Sequence, residues 1–238
     1  NLAAVDQATD SPTNNFCTMN SLAKSSYTTL SEGNLTTFGN NASDNGNVSS
    51  TICPNAGKWY VECKYRTLSD TVTTYPRAGI QQVNNAGFGS LLNSGNAGMP
   101  GYYADEFNFY SNGTLRVNNS ETGSWGSSVS AGDIIGVAVD CDNGAAYVAI
   151  NNTWQDSGDP TSGASKTGAA VGWTPASSDG IAYGCSDYKN SYMDWNFGNP
   201  PYANSSDAAD GNGYGKFEYA PPSGYLALCS KNLGSDGG

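Results

Sequence analysis

The stretch Trp59-Tyr60-Val61-Glu62-Cys63-Lys64-Tyr65-Arg66 alternates: Trp59, Val61, Cys63 and Tyr65 fall on one side of an extended chain, and Tyr60, Glu62, Lys64 and Arg66 on the other. A period of two predicts a half-buried β-strand. The pattern returns at 133–141 and 145–151, joined by Asp142-Asn143-Gly144, where Asn-Gly supplies positive φ cheaply; this is the clearest hairpin in the chain. A second hairpin turns at Ser111-Asn112-Gly113 between 107–110 and 114–117, and a third at Ser31-Glu32-Gly33-Asn34 between 27–30 and 35–38. Shorter runs at 16–22, 48–52, 77–83, 169–173, 181–186, 192–197 and 225–230 read as further strands, and no long stretch carries a helical stripe.

Turn signals recur roughly every 8–15 residues, which predicts an all-β, antiparallel two-sheet sandwich; a βαβ fold would need helical segments between strands. Loops rich in Gly, Asn and Ser separate the strands at 39–47, 84–101, 118–132, 155–168 and 198–216. Residues 1–14 read as an N-terminal arm, 15–233 as one sandwich domain and 234–238 as a C-terminal tail. The length of 238 residues suits a single large all-β unit, and 37% hydrophobic residues supply its core.

Composition removes several functions. The chain has no His, so Ser-His-Asp and Cys-His nucleophiles, His-ligated zinc and a histidine pH switch are excluded by residue type. A net charge of −11 repels phosphate backbones and anionic lipid heads, so neither nucleic acid nor a membrane is an expected partner. No apolar run approaches the roughly 18 residues of a membrane helix. The first residues, Asn1-Leu2-Ala3-Ala4, start without Met and without a signal-like segment, which suggests a processed product or part of a longer chain.

Cysteines stand at 17, 53, 63, 141, 185 and 229 with no C-x-x-C pair, which disfavours metal and leaves disulfides, buried thiols or a mixture. Asn-x-Ser/Thr triplets, the pattern of eukaryotic glycosylation sites, begin at Asn34, Asn41, Asn47, Asn112, Asn118, Asn151 and Asn204, and chance explains most of them in a chain so rich in these residues. Catalysis would have to come from paired carboxylates. The five Glu, at 32, 62, 106, 121 and 218, form no Glu-x-Asp-x-x-Glu run, and neighbouring Asp105 and Glu106 would point to opposite faces, so no catalytic residue is expected. Asp207, Asp210 and Asn212, and likewise Asp140, Asp142 and Asn143, offer oxygen ligands for calcium. Turn formation explains both sets without an ion, so no cofactor or metal is expected. The candidate ligand-binding residues are the loop aromatics Tyr102, Tyr103, Trp125, Trp154 and Tyr188, which present apolar faces with polar rims, whereas Trp59, Trp173 and Trp195 read as core.

Three ordered segments, Gly57-Lys58-Trp59-Tyr60-Val61-Glu62-Cys63, Gly132-Asp133-Ile134-Ile135-Gly136-Val137-Ala138-Val139-Asp140 and Asp142-Asn143-Gly144, resemble a SPRY domain, a concanavalin A-like β-sandwich. Further pieces are similar to the SPRY-type modules of marine bacteriophage virion proteins. These are Phe16-Cys17-Thr18-Met19-Asn20, Asn196-Phe197-Gly198 with Pro200, Pro201 and Tyr202, and the long Asp210-Gly211-Asn212-Gly213-Tyr214-Gly215-Lys216-Phe217-Glu218-Tyr219-Ala220-Pro221-Pro222-Ser223-Gly224-Tyr225. The resemblance covers roughly 15–233 and departs from the family where Asn151-Asn152-Thr153-Trp154 replaces a common Asn-Gly turn. It implies a non-enzymatic module of a fibre, appendage or decoration protein on the virion surface. Such a module would occur in many copies, contact other virion proteins and present loops to a host glycan or protein. A purely structural virion subunit and a secreted lectin or glycosidase are the alternatives. The resemblance also pairs the strands at 16–22 and 225–230, which would make Cys17 and Cys229 neighbours and a candidate disulfide, although assembly in a reducing cytoplasm argues against a bridge.

Overall fold

A computed structural model describes residues 10–11, 13–40, 45–69, 75–85, 98–175 and 178–236. Residues 1–9 of the expected arm, the Asn41 triplet and most of the 84–101 loop lie outside them. The strands are β1 (Met19–Lys24), β2 (Thr28–Ser31), β3 (Thr36–Gly39), β4 (Gly46–Ser50), β5 (Lys58–Thr67), β6 (Arg77–Gln82), β7 (Phe107–Tyr110), β8 (Leu115–Val117), β9 (Ser120–Thr122) and β10 (Ile134–Asp140). They continue with β11 (Ala145–Ile150), β12 (Thr153–Trp154), β13 (Val171–Gly172), β14 (Ile181–Asp187), β15 (Tyr192–Asn196) and β16 (Leu226–Ala227), followed by helix α1 (Ser230–Asp236). One sheet runs β1-β4-β14-β6-β7-β8-β9; the other runs β12-β11-β10-β5-β15-β3-β2, with β13 added to β11 and β16 to β5. Every pair is antiparallel except β16 with β5. The two-sheet antiparallel sandwich expected from the alternation is the fold.

Side chains at every second position fill the space between the sheets. Trp195, Cys63, Ile135 and Ile150 form one cross-strand row over β15, β5, β10 and β11, and Val61, Val137 and Val148 form the next. All of them belong to the main core cluster, together with Ile80, Phe107, Phe109 and Tyr183 from the facing sheet. Two buried tyrosines cross the layer in opposite directions. The Tyr65 hydroxyl accepts from the Ala78 amide at 3.1 Å and donates to the Phe109 carbonyl at 3.2 Å, while the Tyr183 hydroxyl donates to the Trp59 carbonyl at 3.2 Å. Each hydroxyl thus finds the partner a buried donor requires.

The half-buried reading of β5 holds only past Cys63. Tyr60 and Glu62, on the supposedly wet face, are as buried as Trp59 and Val61. A second apolar cluster lies there, in which Tyr60, Ala138 and Tyr147 of the sheet meet Phe217, Tyr225 and Ala227 from the C-terminal stretch. Tyr60 and Phe217 pack edge to face at 5.3 Å. Gly136 makes room for this layer, because a Cβ there would stand 2.8 Å from the Tyr60 hydroxyl. Two acids tie the covering segment down. Glu62 accepts the amides of Glu218 at 2.9 Å and Tyr219 at 2.8 Å, the Asn196 side-chain amide at 3.1 Å and the Tyr60 hydroxyl at 3.3 Å. Asp210 accepts the amides of Asn212 and Tyr214 at 2.9 Å each, and the Ala227 amide and the Asn232 side chain at 2.8 Å each.

Several sequence readings change in detail. The expected strand at 225–230 shrinks to two residues, and Ser230 begins α1, since the Asn15 carbonyl and the Asp210 carboxylate capture the backbone on either side. Asn151 and Asn152 both take positive φ, 46° and 65°, and form a tight turn, so Thr153 and Trp154 fold back on β11 as a strand that pattern alone did not indicate. The chain ends do pair: the Cys17 amide donates to the Leu228 carbonyl and the Ser230 amide to the Asn15 carbonyl, both at 2.9 Å. However, Phe16 stands opposite Cys229. Cys17 therefore points into the main core, whereas Cys229 points into the outer cluster with Phe16. The disulfide considered for Cys17 and Cys229 is not formed, because the two lie on opposite faces of the ladder, and all six cysteines are free. We expect the unreduced chain, unfolded in denaturant, to take six alkyl groups from iodoacetamide by mass; four or fewer would reveal a bridge.

Burial pushes the carboxyls of Glu62, Glu106 and Asp187 each up to about 7. A group whose folded value is raised keeps its proton in the native state while the unfolded chain loses it. The stability this contributes is full below the unfolded value and is lost as pH rises through 7. The urea midpoint is expected to fall between about pH 5 and pH 8. A midpoint that rises over this interval would mean that the donors around these acids outweigh their burial.

Candidate functional site

The outer face of the seven-stranded sheet is polar and aromatic. Ser186, Arg77 and Tyr110 stand in one cross-strand row on β14, β6 and β7, and Asn108, Arg116 and Glu121 in the next on β7, β8 and β9. The Arg77 guanidinium lies between two rings, 3.9 Å from the centre of Tyr75 and 3.6 Å from that of Tyr110. Planar delocalised charge against a π face is favourable, the more so where water is excluded, and Arg77 is only 8% exposed. Burial lowers the Arg77 value, and burial raises that of Tyr75 to about 12, so this phenol is neutral near pH 7.

The stack extends in both directions. Tyr188 packs on Tyr75 with ring centres 5.1 Å apart, and the Lys189 ammonium lies 5.5 Å from the Tyr188 ring. On the other side the Tyr110 hydroxyl donates to Glu121 at 2.7 Å and accepts from Arg116 at 3.3 Å. Arg116 also bonds the Asn119 side chain, pairs with Glu121 at 3.8 Å, and lies 5.7 Å from the Tyr102 ring, which meets Tyr103 edge to face at 5.2 Å. Glu106 holds this last loop: it accepts the Gln82 amide at 3.2 Å, the Asn85 side chain at 3.0 Å and the Tyr103 amide at 3.4 Å. The inner part of the row is buried, and its ends, Tyr188 with Lys189 and Tyr102 with Tyr103, are half-exposed.

Three of the five loop aromatics singled out from the sequence, Tyr102, Tyr103 and Tyr188, thus belong to one continuous array. Trp125 and Trp154 do not. Trp125 packs edge to face on Phe109 at 6.0 Å, and Trp154 rests against the outer cluster of the other sheet. Their two loops are joined by Gln155, whose side-chain oxygen accepts the Ser127 amide at 2.9 Å. Sequence reasoning missed Tyr75, Arg77, Tyr110 and Arg116. The only local signal was an Arg at an outward position of each of two strands, and what joins them is pairing between distant segments.

A shallow pocket of about 410 Å³ opens on the other sheet, lined by Gly57, Lys58, Asp142, Gly211, Asn212 and Leu226 among others, and it contains none of the five aromatics. Its charged groups are already engaged: Lys58 pairs with buried Asp140 at 3.0 Å, and Asp142 accepts the Gly57 amide at 2.7 Å. The oxygen sets weighed for calcium are similarly occupied, Asp210 by four N–H donors and Asp140 by Lys58 and both nitrogens of Asn143.

No family model matches this sequence, and no curated protein matches it. Among solved structures, the chain is similar to the SPRY domain of human HERC1, with 10% identity and a TM-score of 0.54 over 74% of this chain and 96% of that one. It is also similar to a human SPRY domain, with 15% identity and a TM-score of 0.49 over 71% of this chain and 94% of that one. The fold is SPRY-like.

Replacing Arg77 by Met keeps an unbranched apolar stem but removes the guanidinium and with it both cation–ring contacts, which should lower stability by about 1–3 kcal/mol. Urea unfolding checks this: the midpoint should drop with an unchanged slope, and an unaltered midpoint would show that the stack carries no energy.

Proposed function

We propose that this chain is a non-enzymatic binding module of a virion fibre, appendage or decoration protein, and that the ends of the tyrosine and guanidinium array contact a host glycan or protein. The observation that carries the binding reading is the array itself, a run of rings and cations centred on Arg77, Tyr110 and Arg116 of the strands and ending at half-exposed Tyr188 with Lys189 on one side and half-exposed Tyr102 with Tyr103 on the other. Rings anchored in this way stack on a sugar face or on an apolar side chain with little loss of rotamer freedom, and many copies raise a weak affinity. The virion setting is supported by the resemblance of the 210–225 stretch to phage modules.

The placement of the acids favours binding over hydrolysis. Glu62 and Glu106 hold backbone amides, Glu121 bonds Tyr110 and pairs with Arg116, and Glu218 bonds the Ser205 amide at 2.7 Å. Each is engaged within its own chain, whereas a glycosidase needs two carboxyls facing a common bond. A purely structural virion subunit remains the second reading, in which the same surface is covered by a neighbouring virion protein.

Binding of the purified chain to host-surface extract and to a glycan array tests the proposal. Tyr102→Ala and Tyr188→Ala should each weaken binding roughly tenfold, about 1.4 kcal/mol, with the urea midpoint little changed. Release of reducing sugar by the intact chain would overturn the non-enzymatic assignment, and unchanged binding by both variants would overturn the surface.

A further inference from the structure

Beside the tyrosine array, the outer face of the seven-stranded sheet has a strip without side chains. Ser49 on β4 stands opposite Gly184 on β14, Gly184 opposite Gly79 on β6, and Gly79 opposite Asn108 on β7. Across four strands the order is hydroxyl, bare backbone, bare backbone, amide. Neither glycine has room for a side chain: a Cβ on Gly79 would lie 1.9 Å from the Phe107 carbonyl oxygen, and one on Gly184 3.0 Å from the Val48 carbonyl oxygen and 3.2 Å from Pro100. Gln81 and Ser186 flank the strip on the same face. All four polar side chains are fully buried. Ser49 Oγ, Ser186 Oγ, Gln81 Oε1 and both amide atoms of Asn108 have no hydrogen-bond partner among the described residues.

The segment over this floor is ill-matched to it. Met99 is fully buried with its sulfur 3.5 Å from Arg77 Nη1, and Pro100 lies against Gly184. A thioether and a pyrrolidine ring offer the floor no good donor. Among the described residues of this segment, the Gly98 carbonyl reaches it, accepting from the Gln81 side chain at 3.2 Å. Buried polar atoms left without partners are disfavoured, and several together on one patch call for groups that both donate and accept.

We propose that this strip is the floor of a groove for an uncharged saccharide chain, covered here by residues 98–101, which the sugar displaces on binding. The chemistry fits a sugar. Every floor group is neutral, hydroxyls satisfy the NH₂ and the carbonyl of Asn108 alike, and at Gly184, where Pro100 now lies, bare glycine backbone lets a pyranose ring approach closely once the strap has moved. Tyr102 at the rim supplies an apolar face. The inference rests on the reading above that this face meets a glycan, and it adds the class of glycan and the competition with the protein's own strap.

The test is calorimetric titration of the intact chain with neutral oligosaccharides: cellohexaose, laminarihexaose, maltohexaose and chitohexaose. One of them should bind. Asn108→Leu should weaken that binding at least tenfold while the urea midpoint stays level or rises, because an orphaned amide is removed. Pro100→Gly should strengthen it severalfold by loosening the strap, since apparent affinity scales with the open fraction. Hydrogen exchange gives a readout without mutation: the Asn119 amide, bonded to the Gly101 carbonyl at 2.9 Å, should exchange faster with sugar present. If Asn108→Leu stabilises the fold and leaves affinity unchanged, the orphaned atoms serve water alone and the groove is wrong. If Tyr102→Ala abolishes binding while Asn108→Leu does not, the groove falls and the tyrosine surface stands. Failure of all four oligosaccharides overturns the groove, and host-extract binding then decides the broader proposal separately.

Discussion

Glu62 sits on the central strand of the larger sheet, on a face that would be wet in a simple two-layer sandwich, and four donors converge on its carboxylate. Two of these donors are backbone amides of the C-terminal stretch. The apolar cover over Tyr60 therefore depends on a polar fastening, because Phe217 and Tyr225 pack there only while the intervening loop is held down. A buried carboxyl without such donors would be strongly unfavourable, and a loop with free amides over an apolar surface would be equally so; each offsets the other. Asp210 repeats the arrangement at the next turn and links it to α1. The sandwich is in effect three layers deep on this side.

The smaller sheet solves a different problem. Its inner face is apolar, but its outer face is built of Ser, Gly, Gln, Asn, Arg and Tyr and is nonetheless buried over much of its area. Stacking satisfies part of that face, in the Tyr75, Arg77 and Tyr110 sandwich, and Glu121 and Asn119 engage the two terminal nitrogens of Arg116. The remainder lies beneath Met99 and Pro100. One sheet thus buries an apolar exterior for stability, and the other carries polar groups that folding alone does not explain. Departures from local consistency of this kind are where function is best sought.

Most strands were legible because alternation is a local signal. β5, β10 and β11 read directly from residues 59–66, 133–141 and 145–151, and the Asn-Gly turn at 143–144 announced their hairpin. What was not legible depended on distant partners. Tyr60 and Glu62 looked solvent-facing, since nothing near them in sequence says that residues 216–227 return to cover them. β9 is three exposed residues paired only with β8, too short for a pattern, and α1 is a single short helix following a two-residue strand. The candidate site was half legible for the same reason. Loop tyrosines are visible in sequence, but Tyr110 standing opposite Arg77, or Ser49, Gly184, Gly79 and Asn108 falling in line, follows from register, which a single sequence does not display.

The junction of the two chain ends has a mechanical corollary. Asn15 and Cys17 meet Ser230 and Leu228 in an antiparallel ladder whose open end is where both termini leave the domain. Tension between the termini therefore peels this ladder like a zipper, loading its hydrogen bonds one after another; strands drawn past each other in shear would resist with all of them at once. The first contacts to give way are those beside Phe16 and Cys229, and with them goes one edge of the outer apolar layer, while the tyrosine pegs between Tyr65, Tyr183 and the facing strands lie outside the line of force. Under load the module would yield at its seam before its interior is disturbed.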